Sequence, residues 1–428
     1  MLLKQGSFAA YKKRNVCKGI FADCEEQIII VRKIIEQVRS DGDQAIRELT
    51  RCYDQTDIAD IAVTEEEIGE ALKKVDQDFL RSLRLAKKNI EKFHQRQLAN
   101  SWWDSSPGIF IGQYCRPLES IGAYIPGGTA ALSSSVLMTV VPAKIAGVKK
   151  VYLCSPPHKD GSICAETLVA AHETGVTGIF KVGGAQAIAG LAYGTETIPA
   201  VHKIVGPGNI YVTLAKREVF GQVGIDMLAG PSEIVVVADQ HAKPEYIAAD
   251  LLSQAEHDVR SRSILITNSE QLASSVQDKL AIMLHELPRK DIAKKSLQEK
   301  GAIIIVSSLD EAIAVVNEIA PEHVELHFEH PWEYIGQIMN AGAIFVGPYT
   351  PESLGDYYAG SNHVLPTSGS ARYASALGVY DFIKWSNVIS YSSEALEKAA
   401  SHLEKLARAE GLEAHARAAL VRRKNNDT

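Results

Sequence analysis

From about residue 109 onward, short runs rich in β-branched residues alternate with segments of helical periodicity. Strands that alternate with helices at this spacing require right-handed crossover connections and a mostly parallel sheet. Because the strands carry few alternating polar residues, we expect helices to cover both faces of the sheet. The repeat is too long for one small sheet, so the pattern predicts an α/β fold with two Rossmann-like, incomplete doubly wound sheet domains. The predicted strands are Ile109–Tyr114, Val151–Cys154, Gly178–Val182, Ile234–Ala238, Ile264–Thr267, Ile303–Val306 and Ala343–Val346.

The segments between these strands, and both ends of the chain, have the periodicity of helices. Near the N-terminus, Gly42 offers a stop for one helix, Thr64 and Glu67 form a capping box for the next, and a third runs from 78 to about 100. At the other end, residues 394–423 form a long charged helical region whose apolar stripe is too narrow to fold alone, so a partner subunit is a natural surface for it. The predicted connecting helices are Ser133–Ala146, Ala165–Glu173, Ile210–Phe220, Tyr246–Glu256 and Leu309–Ile319.

Charge and cysteine content limit the classes of function open to the chain. Its 428 residues include 45 Lys and Arg against 52 Asp and Glu, a net charge of −7, so no positive excess is available to bind a nucleic-acid backbone. No run of about 18 consecutive apolar residues occurs, which excludes a membrane span. The six cysteines show no C-x-x-C spacing and fit a reducing cytoplasm. The five Lys or Arg among the first twenty residues indicate a basic N-terminal arm rather than a targeting segment.

Three glycine clusters stand where a strand should lead into a helix: Tyr124 to Gly128, Val182 to Gln186 and Val205 to Asn209. Glycine lets the backbone approach a ligand closely, and the helix N-terminus that follows attracts anions such as a dinucleotide pyrophosphate. Alternatively, the glycines only make tight turns and Asn209 caps a helix. None of the three matches the G-x-G-x-x-G fingerprint. Three such junctions within about ninety residues nevertheless favour a ligand crevice.

Two clusters of polar residues are candidates for metal binding. Gln254 and His257 lie three residues apart on a predicted helix and could form half of a metal site, although hydrogen bonding at the helix end is the commoner role. In a strand, His323, Glu325 and His327 would share one face, either as a ligand set or as the polar side of an edge strand.

Acid–base candidates lie in the last quarter of the chain. Glu322 beside His323 is a plausible acid–base pair or an ordinary polar loop, with the spacing favouring neither. The segment from about 347 to 370 has no predicted secondary structure, which is unusually long for a compact domain and indicates function. Glu410 and His415 fit a solvated helix best.

Taken in their order along the chain, these motifs identify a resemblance to the histidinol dehydrogenase family, whose members use zinc and NAD. The resemblance covers about residues 25 to 423. The motifs that carry it are the three glycine clusters, Ala229-Gly-Pro-Ser-Glu233, Leu251-Leu-Ser-Gln-Ala-Glu-His257, Ala320-Pro-Glu-His323, and Gly355-Asp356 through Asn362-His-Val-Leu-Pro366.

The resemblance implies roles for individual residues and an assembly. It implies a homodimer in which the C-terminal helical tail, 378–428, crosses to the other subunit and completes its site, with one zinc per subunit. The first Rossmann-like domain would comprise 1–123 and 233–377, and the second, 124–232, would be inserted in it. The implied catalytic pair is Glu322 and His323, and the implied zinc ligands are Gln254, His257, Asp356 and His415. The implied substrate contacts are Ser232, Gln254, His257, His323, Asp356, His363, Glu410 and His415, and the implied NAD contacts are Tyr124, Gln186 and Asn209.

The implied reaction is the oxidation of L-histidinol to L-histidine with reduction of two NAD. A relative that oxidises another small polar alcohol, such as a sulfonated diol, is the alternative, and a ligand-binding protein without activity is a third possibility that the intact Glu322 and His323 disfavour. A thiohemiacetal mechanism on Cys115 or Cys154 is not expected, because neither sequence context lowers a thiol pKa and both residues suit buried structural thiols.

Overall fold

The computed structural model describes residues 2–14, 21, 24–127 and 132–423. Gly128, at the end of the first glycine cluster, and residues 15–20 of the predicted basic arm lie outside the described residues. The strands are β1 (Lys4–Gly6), β2 (Trp102–Ser106), β3 (Ile109–Pro117), β4 (Ser120–Tyr124), β5 (Lys150–Ser155), β6 (Gly178–Lys181), β7 (Lys203–Val205), β8 (Gly224–Ile225), β9 (Glu233–Ala238), β10 (Arg262–Thr267), β11 (Ala302–Ile305), β12 (His323–His327), β13 (Ala343–Val346) and β14 (Ile383–Tyr391). The helices are α1 (Phe8–Arg14), α2 (Glu25–Tyr53), α3 (Glu65–Lys74), α4 (Gln77–His94), α5 (Ser133–Ala146), α6 (Ala165–Thr174), α7 (Gly184–Tyr193), α8 (Ile210–Val219), α9 (Pro244–Ala255), α10 (Glu270–Leu284), α11 (Lys290–Lys300), α12 (Leu309–Ile319), α13 (Glu352–Tyr357), α14 (Ser393–Ala409) and α15 (Glu413–Leu420).

The larger sheet has six parallel strands in the order β1-β11-β10-β9-β12-β13. Without the edge strand β1, the remaining strands follow the order 3-2-1-4-5 along the chain, so the direction of winding reverses between β9 and β12. Val236 of β9 packs with α9, α10 and α11, whereas its neighbour Val235 packs with α12 on the opposite face. This sheet is therefore covered on both faces, as its apolar strands predict.

A second sheet has five parallel strands in the order β6-β5-β4-β7-β8, which again is 3-2-1-4-5 along the chain. Helices α4, α5 and α6 cover the face that carries Ile121, and helices α2, α7 and α8 cover the face that carries Ile204. Two mixed α/β units with parallel sheets are thus present. The exact domain limits stay a prediction, and the boundary placed between 123 and 124 falls inside β4.

A small antiparallel sheet, in the order β14-β3-β2, lies apart from these two. The strand predicted at Ile109–Tyr114 is confirmed as β3, but its place in a parallel sheet was wrong, because it pairs antiparallel with β2 and β14. Every residue of β2 is exposed, so this sheet presents a bare face.

Several local predictions can be compared directly with the structure. Thr64 and Glu67 form both hydrogen bonds of the capping box that starts α3. Gly42 breaks α2 with φ of 54°, and the chain continues into a second helical segment rather than stopping. The charged C-terminal region is two helices, α14 and α15, joined at Gly411 with φ of 75°. None of the described helices is long and apolar enough to cross a membrane.

The expectation of a structureless segment from 347 to 370 was wrong for residues 352–357 and holds for residues 358–369. Residues 352–357 form the short helix α13, which begins directly after Pro351. Because proline has a fixed φ and favours the start of a helix, this local signal was present in the sequence. The helix is short, but it sets the direction of two carboxylates in the site described next.

Candidate active site

His323 is the first residue of β12 and lies beside the start of β9, in the larger sheet. Its Nδ1 is 2.9 Å from the Glu233 backbone carbonyl oxygen, which can only accept, so Nδ1 carries the proton and donates. Its Nε2 is buried and has no hydrogen-bond partner among the described residues. Burial lowers the pKa of His323 to about 4, so the imidazole is neutral at neutral pH. The structure therefore holds a neutral histidine whose Nε2 can accept a proton.

Glu322 is buried next to His323, and both side chains form hydrogen bonds to the Glu233 backbone. Its Oε2 accepts a hydrogen bond from the Glu233 backbone N–H at 2.8 Å. Burial raises the pKa of Glu322 well above its ordinary value, and the nearby carboxylates of Glu233, Glu352 and Asp356 raise this pKa further. The same acidic surroundings make the position favourable for a cation, which would lower the pKa of Glu322 toward the ionised form.

A group that could hold a metal ion lies beside this pair. One ligand atom each from His257, Glu352 and Asp356 lie within 4.8 Å of one another. His257 follows the C-terminal end of α9, and the two carboxylates lie on α13 at positions i and i+4, which share a helix face. Glu352 Oε1 is 3.7 Å from His323 Nε2, so the group and the neutral histidine are adjacent.

Gln254, in the last turn of α9, is fully buried against this group. With its amide nitrogen toward Glu352, Gln254 donates to Glu352 Oε2 at 2.8 Å, and its oxygen accepts from the Glu233 N–H at 2.9 Å. The opposite orientation brings the Gln254 oxygen against both carboxylate oxygens of Glu352, which only a cation among them would stabilise. Two of the four implied zinc ligands, His257 and Asp356, therefore lie together, and Gln254 contacts the third member of their group.

Glu352 itself was missed by the sequence analysis. It is 3% exposed and occupies the centre of the arrangement, contacting Gln254 and lying near His323. The signal that could have found it is its i, i+4 spacing with Asp356 after Pro351. We expected this segment to be a loop. In a loop, residues at i and i+4 do not share a face, so the spacing of Glu352 and Asp356 gave no reason to group them.

His363 and Ser232 flank the site. His363 Nδ1 lies 3.1 Å from the Asp356 carbonyl oxygen, and its Nε2 lies 3.3 Å from the Ser135 hydroxyl. Because Ser135 is on α5 of the second unit, His363 connects the larger sheet to the five-stranded one. Ser232 immediately precedes β9 and is partly buried.

Glu410 and His415 are exposed on the α14–α15 hairpin. The metal-capable group formed by the described residues of one chain contains neither of them. Their role in binding zinc or substrate stays a prediction that needs a second subunit.

A second buried group explains the polar face of β12. Since β12 lies between β9 and β13, the alternative of an edge strand was wrong, and Glu325 and His327 are 0% and 4% exposed. Together with Asp250 of α9 they form a further set whose ligand atoms lie within 4.8 Å of one another. Glu325 Oε1 also accepts a hydrogen bond from the Glu352 backbone N–H at 2.7 Å. The polar face of β12 therefore contacts the start of α13 and holds Glu352 in position.

A separate cavity of about 610 Å³ opens at the carboxyl ends of the strands of the five-stranded sheet, and Tyr124, Gln186 and Asn209 all line it. Open α/β sheets bind ligands at this end, where the strand order reverses. The Tyr124 hydroxyl accepts from the Gly184 N–H at 3.1 Å, and the Asn209 side chain accepts from the N–H of Tyr211 at 3.0 Å. Asn209 therefore caps α8 and also lines the cavity, whereas its contact with a ligand stays a prediction.

The Cys154 thiol is not available as a nucleophile. Cys154 is fully buried, and burial raises its pKa, which leaves it protonated. Cys115 is only partly buried, so the expectation that both are buried structural thiols holds for Cys154 alone.

Comparisons with known proteins assign the chain to a family. The family model for histidinol dehydrogenase matches residues 21–423. Curated histidinol dehydrogenases from Bacillus licheniformis and Halalkalibacterium halodurans are each 54% identical, the first over 99% of this chain and 100% of its own length, the second over 92% and 93%. A crystal structure of histidinol dehydrogenase from Elizabethkingia anophelis superposes with a TM-score of 0.92 at 39% identity, covering 98% of each chain. The chain therefore belongs to the histidinol dehydrogenase family of NAD-dependent oxidoreductases.

Proposed function

We propose that the protein oxidises L-histidinol to L-histidine through histidinaldehyde, reducing two NAD, as the last steps of histidine biosynthesis in the cytoplasm. One observation carries the proposal. In a chain of this family, a neutral His323 has an unpaired Nε2 next to a group of His257, Glu352 and Asp356 that suits a divalent cation. An amino alcohol bound by that cation would have its hydroxyl close to the acceptor nitrogen.

The donor set fits zinc. An imidazole nitrogen from His257, a carboxylate oxygen from Asp356 and an amide oxygen from Gln254 are compatible with zinc, and His415 of the partner subunit would supply a second imidazole. Zinc held by these residues would orient the substrate by binding its amine and imidazole. Glu352 would balance the charge beside these ligands.

The residues of this chain then account for the proton transfers. In the first oxidation, His323 Nε2 accepts the hydroxyl proton while the hydride leaves the substrate carbon for NAD. In the second, Glu322 takes a proton from the water that adds to the aldehyde carbon, while His323 Nε2 returns its proton to the aldehyde oxygen, so that a gem-diol forms and His323 is neutral again. A cation held nearby would keep the Glu322 carboxylate ionised and able to accept the proton. His323 accepts the next hydroxyl proton as the second hydride leaves. Between these steps, the hydrogen bond from Nδ1 to the Glu233 carbonyl keeps Nε2 available as the acceptor.

The cavity of the five-stranded sheet is the proposed NAD site. Tyr124, Gln186 and Asn209 line it, and Gly184, with φ of 61°, starts α7 there. The N-terminus of a helix attracts a pyrophosphate. His363 contacts Asp356 of α13 through Nδ1 and Ser135 of α5, in the five-stranded unit, through Nε2. These contacts support a substrate site between the two sheets.

A homodimer with shared sites is supported by the bare face of the small antiparallel sheet. On one face, Trp103 stacks on Phe110 and Tyr114, and these three side chains are 45, 40 and 38% exposed, an apolar patch of the kind that marks a protein interface. The adjoining hairpin carries the exposed His415 and Glu410. If that tail crosses to the partner, both residues reach the partner's site.

The experiment that separates this function from its alternative is substrate profiling of the zinc-loaded protein at fixed NAD. We expect kcat/KM for L-histidinol to exceed that for a sulfonated propanediol by orders of magnitude. The reverse order would reject histidinol and favour the oxidation of another polar alcohol on the same acid–base residues. Binding of histidinol without any NADH from zinc-loaded dimer would reject catalysis altogether.

A further inference from the structure

The cavity assigned to NAD has one wall that its expected contacts do not explain. Tyr53, the last residue of α2, and Asp54, which follows it, line this wall together with Ile30 and Ile34. Tyr53 is 54% exposed although it is a large aromatic side chain. The wall thus offers an apolar surface with one carboxylate at its edge.

The Asp54 carboxylate is left without a partner. Its Oδ2 is buried and makes no hydrogen bond to any described residue. By contrast, Asp57, three residues on, is paired with Arg51 at the surface. An unpaired buried carboxylate oxygen is costly, so its retention beside a cavity points to a ligand that donates hydrogen bonds. Burial raises the pKa of Asp54 to about 6, which still leaves it mostly ionised at neutral pH and above.

The position of this wall decides which end of the dinucleotide it meets. Helix α2 packs on α7 and α8 of the five-stranded sheet, and its core residues belong to that unit. The nicotinamide must instead reach His323 in the larger sheet. Since the α2 wall belongs to the unit that lacks the acid–base residues, it faces the adenosine half.

We propose that Asp54 accepts hydrogen bonds from the 2′- and 3′-hydroxyls of the adenosine ribose of NAD, that Tyr53 packs on the adenine, and that this carboxylate rejects the 2′-phosphate of NADP. The inference rests on the proposed NAD site. A carboxylate matches a ribose diol, because it offers two acceptors and repels a phosphate. The chain has no G-x-G-x-x-G fingerprint with the acidic residue that accompanies it. Asp54, at the end of α2, takes the place of that acidic residue.

Calorimetric titration of the zinc-loaded protein with NAD, 2′-deoxy-NAD and NADP tests this without relying on turnover. Wild type should bind NAD about tenfold to a hundredfold more tightly than 2′-deoxy-NAD, the value expected for a hydrogen bond to a charged group. Asp54→Asn should lose at least this factor for NAD, should lose less for 2′-deoxy-NAD, which carries only one of the two hydroxyls, and should narrow the gap between the affinities for NAD and NADP. Asp57→Asn, a loss of the same charge three residues away and outside the cavity lining, should bind NAD as wild type does.

Two outcomes would overturn the inference: equal affinity of wild type for NAD and 2′-deoxy-NAD, or NAD affinity of Asp54→Asn equal to that of wild type. The first comparison needs no variant, so it decides the matter even if Asp54→Asn does not fold. If wild type shows the expected preference for NAD but forms no NADH from L-histidinol, the substrate assignment fails while the role of Asp54 stands. If wild type binds no NAD at all, both fail.

Discussion

Lys216 and Asp226 form a buried ion pair that holds the third glycine cluster, and replacing Lys216 by Met should destabilise that cluster severely. Their side chains are 3% and 1% exposed. Lys216 Nζ also donates to the Gly206 carbonyl at 3.0 Å, and Asp226 Oδ2 accepts from the Gly206 N–H at 2.7 Å. The pair therefore binds both the N–H and the carbonyl oxygen of Gly206, three residues before Asn209, which lines the cavity.

The magnitude follows from what the substitution leaves behind. Without Lys216, Asp226 keeps the N–H donors of Gly206 and Met227 but no cation. Breaking a buried pair by removing one partner costs about 3–5 kcal/mol, because an uncompensated charge stays in the interior. Since about 1.4 kcal/mol corresponds to a factor of ten, hydrogen exchange of the Gly206 amide should accelerate by roughly a hundredfold or more.

Hydrogen exchange with mass spectrometry of peptides covering 204–209 is the assay, and urea unfolding followed by circular dichroism gives the global loss. Lys279→Met is the matched control, since Lys279 pairs with Glu245 at 2.7 Å on the surface, where such a pair is worth about 0–1 kcal/mol. Lys216→Met combined with Asp226→Asn should recover part of the loss by removing the stranded charge. Equal destabilisation by Lys216→Met and Lys279→Met would refute the reasoning.

Three further predictions concern a buried histidine, the acid–base pair and the assembly. Burial lowers the pKa of His94 below its ordinary value of 6.5, so the unfolded chain binds more protons than the folded one as pH drops. The free energy of unfolding should therefore fall below about pH 6.5. Urea titrations at several pH values should show a flatter dependence for His94→Gln. His323→Asn should lower kcat by several orders of magnitude while zinc content, measured by atomic spectroscopy, stays at the wild-type level; metal loss would mean that His323 is a ligand. A chain truncated before Glu394 should be inactive alone, and mixing it with full-length His323→Asn chains should restore activity at one of two sites; verified heterodimers without activity would contradict sites shared between subunits.

The parallel strands could be predicted from the sequence because they are apolar runs between helices. Six of the seven predicted strands lie in the two parallel sheets, since Val and Ile runs such as those of β9 and β10 suit a sheet covered on both faces. The exception is β3, whose apolar residues are interrupted by Gly112, Gln113 and Arg116. It pairs antiparallel with β2, which lies close in sequence, and with β14, which lies more than 260 residues away. Which strands pair across such a distance is not encoded in any local pattern.

Residues of the candidate site show the same limit. From spacing, Gln254 was better explained by hydrogen bonding at a helix end, and the partner that changes this, Glu352, comes from a helix that was not predicted. The polar face of β12 was indistinguishable from an edge strand, because Asp250 and Glu352 reach it only in the folded chain. Local chemistry thus identified the residues, and the family resemblance assigned their roles, whereas burial and charge environment came from tertiary packing.

The most direct test of the central claim is the yield of NADH from limiting L-histidinol, measured by absorbance with zinc-loaded, chelator-treated and zinc-restored protein. We expect two NADH per histidinol, loss of the reaction on chelation and recovery with zinc. A yield of one NADH would contradict the second oxidation and the role given to Glu322. No NADH from a zinc-loaded dimer would contradict the proposed substrate.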